Sequence, residues 1–258
     1  MILAFDVGNT ETTVGLFDKD RLAGHWRITS DAARTPDELG VLLRALLNGH
    51  GFDHDAVTGV AIASVVPPIT HPLREACERW VAHAQVVVVE PTSALPIRLE
   101  VDEPMTVGAD RIANALAASR LHKRDAIVVD LGTATTYDCI TADGVFFGGV
   151  IAPGVRTSAE TLFRRTSKLP ATELVAPERA IGTRTDTNIR SGVMFGAADA
   201  IDGIVGRIKR EWPTRQTPMV IATGGIAEAF RDLCRSFDLV DPYLTLNGLN
   251  IAFGLLAT

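Results

Sequence analysis

The chain has 258 residues, 47% of them apolar and 22% charged, the profile of a globular protein with material for one or two buried cores. Its 25 Lys and Arg against 31 Asp and Glu leave a net charge of −6, so no overall positive field exists to collect a nucleic-acid backbone or an anionic membrane. Three well-separated cysteines, Cys77, Cys139 and Cys234, fit a reducing cytoplasm better than a disulfide framework; Met1 opens no basic leader, and no uncharged apolar run reaches about 18 residues.

In chain order, the apolar run Met1 to Phe5, the loop Asp6-Val7-Gly8-Asn9-Thr10, Thr13 to Phe17, the turn Asp18-Lys19-Asp20 and Leu22 to Thr29 predict three successive strands. Thr35-Pro36-Asp37-Glu38 supplies an N-cap, a proline at the first helical position and a capping glutamate, which predicts a helix from Pro36 to Leu47. A strand from Gly59 to Val65 stopped by Pro67-Pro68, a helix from Leu73 to Ala82 and a strand from Val86 to Val89 give mixed α/β alternation. Gly108-Ala109-Asp110-Arg111 opens an alanine-rich helix running to about Leu121.

The pattern then restarts. Ala126 to Val129 ends in Asp130-Leu131-Gly132-Thr133, followed by strands from Tyr137 to Thr141 and Val145 to Ile151, so that Asp6 aligns with Asp130, Gly8 with Gly132 and Phe17 with Thr141. Helices at about 156–165 and 187–210, the strand Met219 to Ala222, Thr223-Gly224-Gly225 and a terminal helix from near Thr245 complete the chain. The expected architecture is α/β: two duplicated domains, 1–115 and 116–258, each with a mixed sheet, and a cleft between them.

The chemistry concentrates in the two acidic, glycine-containing turns after buried strands. Glycine lets a backbone approach an anion, threonine hydroxyls and backbone N–H groups donate to phosphate oxygens, and a carboxylate can hold a bridging metal ion. One such sequence reads equally well as an ordinary turn; two copies on matched strands and hairpins point to a nucleotide-phosphate clamp, one unlike the Walker type, whose motif is missing. Thr223-Gly224-Gly225 is then the expected nucleoside contact, although the same residues suit a plain strand-to-helix turn. Asp110, in a first helical turn beside Gly108 and Arg111, is the candidate catalytic carboxylate; a favourable helix-dipole interaction is the alternative reason for its position. The six histidines form no metal-ligand set, and neither cysteines nor serines form a nucleophile pattern.

The segments Asp6 to Thr10, Gly108 to Arg111, Asp130 to Thr136, Gly148 to Gly154 and Ala222 to Gly225 closely resemble those of type III pantothenate kinases, over essentially the whole chain. The resemblance implies an actin-like (ribonuclease H-like) duplicated fold of the acetate kinase, sugar kinase, Hsc70 and actin superfamily. It further implies ATP-dependent phosphorylation of pantothenate, the first step of coenzyme A synthesis, by a cytoplasmic homodimer using Mg²⁺ and a monovalent cation, K⁺ or NH₄⁺. Carried over by residue, it assigns ATP binding to Asp6, Val7, Gly8, Asn9, Thr10, Glu11, Thr12, Thr13 and Thr133, with Asp6 serving Mg²⁺ through the ATP. Asp130 falls to the monovalent cation, Gly108, Ala109, Asp110, Arg111 and Thr185 to pantothenate, and the proton-acceptor role to Asp110. Glu11 and Glu103 depart from the family's asparagines and add negative charge near anionic ligands, a repulsion unless a cation or proton intervenes. The alternatives are a kinase or phosphatase of the same superfamily for another metabolite, or a non-catalytic accessory factor of transcription.

Overall fold

A computed structural model of the chain describes residues 1–81 and 83–257. The elements run β1 (Ile2–Val7), β2 (Glu11–Asp18), β3 (Arg21–Thr29), α1 (Pro36–Gly49), β4 (Gly59–Ser64), α2 (Pro67–Trp80), β5 (Gln85–Val89), β6 (Arg98–Leu99) and α3 (Ala109–Ala117). After a wide helical turn over Ala118–His122 come β7 (Ala126–Leu131), β8 (Ala134–Ile140), β9 (Val145–Pro153), α4 (Val155–Arg165), α5 (Thr185–Glu211), β10 (Met219–Thr223), β11 (Leu239–Val240) and α6 (Leu244–Leu256). Most sequence-derived elements are present within a residue or two. The exceptions are β8, which starts at Ala134 rather than Tyr137, and α2, which starts at Pro67 rather than Leu73: the proline pair that stops the strand also fits the first helical positions, where a missing N–H costs nothing. The expected end of that helix, Ala82, lies outside the described residues.

Contacts divide the chain into two compact units, Met1–Leu121 with the stretch from Leu244 onward, and His122–Tyr243. Against an expected boundary near residue 115, the break falls at 121/122 and α6 belongs to the first unit. The reason is burial: Leu244, Leu246, Gly248, Leu249 and Ala252 of α6 pack against the first sheet and α3.

In the first unit the strand order is β3-β2-β1-β4-β5, with antiparallel β1–β2–β3 and parallel β1–β4–β5. Leu3, Phe5 and Val7 turn one face of β1 into a core with Leu39, Leu43 and Leu47 of α1 and Ile69 and Leu73 of α2. The capping box at Thr35 and Glu38 closes as the sequence predicts, Thr35 N donating to Glu38 Oε2 at 2.8 Å. The opposite face, carrying Ala4 and Asp6, takes α6, with Leu246 seated at Gly15 and the Phe253 ring at Gly59.

The second unit repeats the order as β9-β8-β7-β10-β11. Ile127, Val129 and Leu131 of β7 face Met194, Ala198, Ile201 and Val205 of α5. Duplication extends to irregularities: the ladder of β2 with β3 slips between Leu16 and Phe17, and that of β8 with β9 between Cys139 and Ile140. The pairing also corrects the alignment by one residue. Ile2 pairs with Phe17 and its counterpart Ala126 with Ile140, so Phe17 matches Ile140 and not Thr141, because the first turn is one residue longer. The start of β7 is anchored by the buried Asp125 carboxylate, which accepts from Ala142 N (2.9 Å), Trp212 Nε1 (2.9 Å) and Thr214 Oγ1 (3.0 Å). All three cysteines are buried and unbridged, and no helix among the described residues is long and apolar enough to cross a membrane.

Candidate active site

Each unit places an aspartate at the carboxyl end of its first strand, beside a parallel neighbour, the edge at which α/β sheets collect ligands. In the first unit Asp6 is flanked in register by Thr13 of β2 and Ala63 of β4, so its half-buried side chain shares a face with Thr13. Val7 and Thr12 point the other way. Val7 is in the core, and the Thr12 hydroxyl, buried, shares a 2.9 Å hydrogen bond with Ser30 Oγ. Among the residues assigned to ATP from Asp6 to Thr13, those two therefore present backbone rather than side chain to a ligand on the Asp6 face. The Gly8 N–H is also engaged, donating to Glu11 O at 3.1 Å to close the turn, while Asn9, Thr10 and Glu11 are exposed at its tip. Glu11 pairs with Arg27 of β3 at 3.7 Å, so the added carboxylate has a cation beside it.

Asp110 reaches the same edge from α3. Gly108 is the N-cap, Ala109 is buried, and the Asp110 carboxylate folds back over the helix start, where its Oδ1 accepts from Arg111 N at 2.8 Å. A Cβ on Gly108 would collide with that Oδ1 and crowd Val65. Val65, directly after β4, donates its N–H to Val7 O at 3.1 Å, which ties this corner to the Asp6 turn. The glycine of the Gly-Ala-Asp-Arg segment thus makes room for the carboxylate itself. Burial raises the pKa of Asp110 above the ordinary carboxylate value, the backbone N–H and charge of Arg111 opposing the shift.

In the second unit Asp130 is flanked by Thr136 of β8 and Thr223 of β10, both on its own face. Gly132 N donates to Ala134 O at 3.0 Å, the closure seen at Gly8. Gly224, at φ +95°, lies against the aspartate; a Cβ there would stand 2.5 Å from Asp130 Oδ1 and 2.7 Å from Leu131 N. Thr223-Gly224 is therefore a seat for Asp130 in addition to any nucleoside contact. The buried Thr223 hydroxyl makes no hydrogen bond among the described residues, so the donor set facing Asp130 includes an oxygen able to join a cation's shell. Thr133, exposed, is held from the other side: its carbonyl accepts from Gly154 N (3.2 Å) and Thr157 Oγ1 (2.8 Å) at the start of α4. That anchor accounts for Gly154, since any side chain at that position would meet the Gly132 and Thr133 carbonyls.

Thr185 opens α5 and, with Ser158 and Asn188, lines a largely apolar cavity of about 730 Å³ between α4, α5 and the sheet face carrying Thr135 and Tyr137. That is the face opposite Asp130 and Thr136. The sequence signals no such cavity, because the lining comes from α4 and α5 at helical spacing that reads equally well as core. The histidine pattern needs one amendment. Among the described residues, His54, partly buried, lies with the exposed Asp53 and Asp55 in a cluster of ligand-type groups, and the Arg44 guanidinium sits against the Nε2 side of its ring.

A duplicated mixed α/β unit with an aspartate turn in each half is the arrangement of the actin-like fold class. Solved structures agree at the level of fold. A conserved putative Baf family transcriptional activator from Campylobacter jejuni matches with TM-score 0.60 at 18% identity, covering 98% of each chain. A putative N-acetylglucosamine kinase from Porphyromonas gingivalis matches with TM-score 0.54 at 13% identity, covering 100% of each. Sequence comparison is sharper: the family model for type III pantothenate kinase matches residues 2–207. A type III pantothenate kinase from Acidothermus cellulolyticus is 46% identical over 253 residues, 98% of each chain. This chain belongs to the type III pantothenate kinase family.

Proposed function

We propose that the chain transfers the γ-phosphoryl group of ATP to the primary hydroxyl of pantothenate, yielding 4'-phosphopantothenate for coenzyme A synthesis. The observation that carries this reading is Asp110, folded over its helix start beside the strand edge that bears the Asp6 turn. On this reading the Asp6 turn and Thr133 hold the ATP phosphates, Asp6 serves Mg²⁺ through the nucleotide, and Gly108 to Arg111 with Thr185 contact pantothenate. Asp130 takes a monovalent cation, K⁺ or NH₄⁺, the enzyme works as a homodimer, and its compartment is the cytoplasm. The polar set around Asp130, with the unengaged Thr223 hydroxyl, suits a cation.

Mg²⁺ supplies charge neutralisation on the phosphates when bound; the chain's own residues do the positioning. A carboxylate is a weak base toward an alcohol, so Asp110 first orients the hydroxyl as an acceptor and takes its proton as the bond to phosphorus forms. Its raised pKa brings it closer to the task. The Arg111 backbone N–H keeps the other carboxylate oxygen in place. The test is a coupled assay of the purified protein with ATP, Mg²⁺ and pantothenate, with and without K⁺, the product identified by mass. Formation of 4'-phosphopantothenate that depends on K⁺ is the expected result. Turnover of another metabolite with pantothenate untouched would sink the assignment.

A further inference from the structure

The C-terminal helix lies beyond the stretch that the family model matches, which ends at residue 207, yet it holds the helix that carries Asp110. Three observations in the first unit define how. Gly248 of α6 meets the backbone of Ala113 in α3 so closely that a Cβ would overlap the Ala113 carbonyl. One turn earlier, Thr245 Oγ1 donates to Asn114 Oδ1 at 2.8 Å, both residues buried. The same helix is pinned to the sheet, with Leu246 at Gly15 and Phe253 at Gly59.

Asn114 is four residues after Asp110 and so shares its helix face. A hydrogen bond at Asn114 and a backbone contact at Ala113 therefore fix both the rotation and the depth of α3 relative to β1 and β4, the strands that end at Val7 and Ser64. A buried polar pair is also directional: it is satisfied in one register of two helices and left open in a shifted one, which apolar packing alone does not guarantee.

We infer that Thr245 and Gly248 of α6 are positioning residues for Asp110, setting the placement of α3 through Asn114 and Ala113. This rests on the proposed role of Asp110 in phosphoryl transfer. Displacements on the order of 1 Å cost up to about a hundredfold in rate when a reacting group must be held in line.

The experiment compares Thr245→Val, Thr245→Ser and Gly248→Ala in the full chain. Thr245→Val keeps the shape and removes the donor; it should lower kcat about tenfold with KM for ATP unchanged, and Thr245→Ser should restore it. Gly248→Ala should cost more, and if it does not fold, the threonine pair still decides. Hydrogen exchange supplies a readout without substrate: amides in the first turn of α3 should exchange faster in Thr245→Val and normally in Thr245→Ser. A Thr245→Val protein with a lower melting temperature but wild-type kcat would reduce the contact to ordinary packing and overturn the inference. Should the wild-type enzyme leave pantothenate untouched, the functional reading fails, and unchanged exchange at α3 would then refute the positioning claim separately.

Discussion

The two units share one plan, down to the bulge in the outer hairpin and the glycine that closes each turn, and they differ in what stands beside the aspartate. Beside Asp6 the neighbouring parallel strand supplies Ala63 and then Ser64; beside Asp130 the equivalent residues are Thr223 and Gly224. The second aspartate is seated on bare backbone. The first instead has a second carboxylate brought to its corner by α3, for which α6 returns from the end of the chain. A duplicated scaffold thus diverged at two helix and strand ends, and on the proposed reading the first unit carries the proton chemistry while the second holds charge.

The largest expected effect separates those roles. Asp110→Asn should lower kcat by about two to four orders of magnitude, the usual span for a lost general base, and leave ATP binding near normal in a separate titration. Wild-type turnover would erase the distinction between the units. The same variant has a stability signature with a definite sign. Because burial raises the Asp110 pKa in the folded state, its contribution is most favourable below the unfolded value of about 3.9 and is lost as pH rises through the folded value. Asparagine does not ionise, so Asp110→Asn should be more stable than wild type at neutral pH, with the advantage fading in acid. Denaturation curves across pH read this directly; an advantage that grew in acid would reverse the assigned cause.

A smaller effect compares the seat of Asp130 with the turn that follows Asp6. Gly224→Ala forces a side chain to φ +95° and against Asp130 Oδ1, a strain of about 1–3 kcal/mol. Gly8→Ala meets only Glu11 O at 3.0 Å and should cost less. Melting temperatures of the two variants give the comparison, and equal losses would show that the Asp130 seat is no tighter than the Asp6 turn.

Much of this is legible in the sequence. The capping box at Thr35, the β-branched runs and the repeated Asp-x-Gly turns carry strong local signals, and each forms where the pattern puts it. What escaped depends on contacts distant in sequence. An apolar helix from Leu244 gives no sign of which sheet it joins, and the one-residue difference between turns emerges only when the ladders are paired. Among the proposed ATP residues, alternation along β2 could have separated Thr12 from Thr13, since strand residues alternate faces; the run of threonines obscured it. The sequence gives no sign of what Gly108 makes room for; the nearest group is the Asp110 carboxylate.

The smallest effect concerns Glu11, whose counterpart in the second turn is Ala134, as the pairing of Thr13 with Asp6 and Thr136 with Asp130 requires. Its carboxylate is about half exposed and stands 3.7 Å from Arg27, so its field at a bound triphosphate is reduced both by the guanidinium and by salt. Glu11→Asn should therefore lower KM for ATP by no more than about threefold at low ionic strength, with the gain vanishing near physiological salt, where charges are screened over about 8 Å. Arg27→Gln removes the partner and should raise KM instead, most strongly at low salt. If the guanidinium acts only by masking Glu11, adding Arg27→Gln to Glu11→Asn changes nothing further. A double variant that still binds ATP more weakly than Glu11→Asn alone would assign Arg27 an attraction for the nucleotide of its own, and the asymmetry between the turns would then lie in β3 as well as in the turn itself.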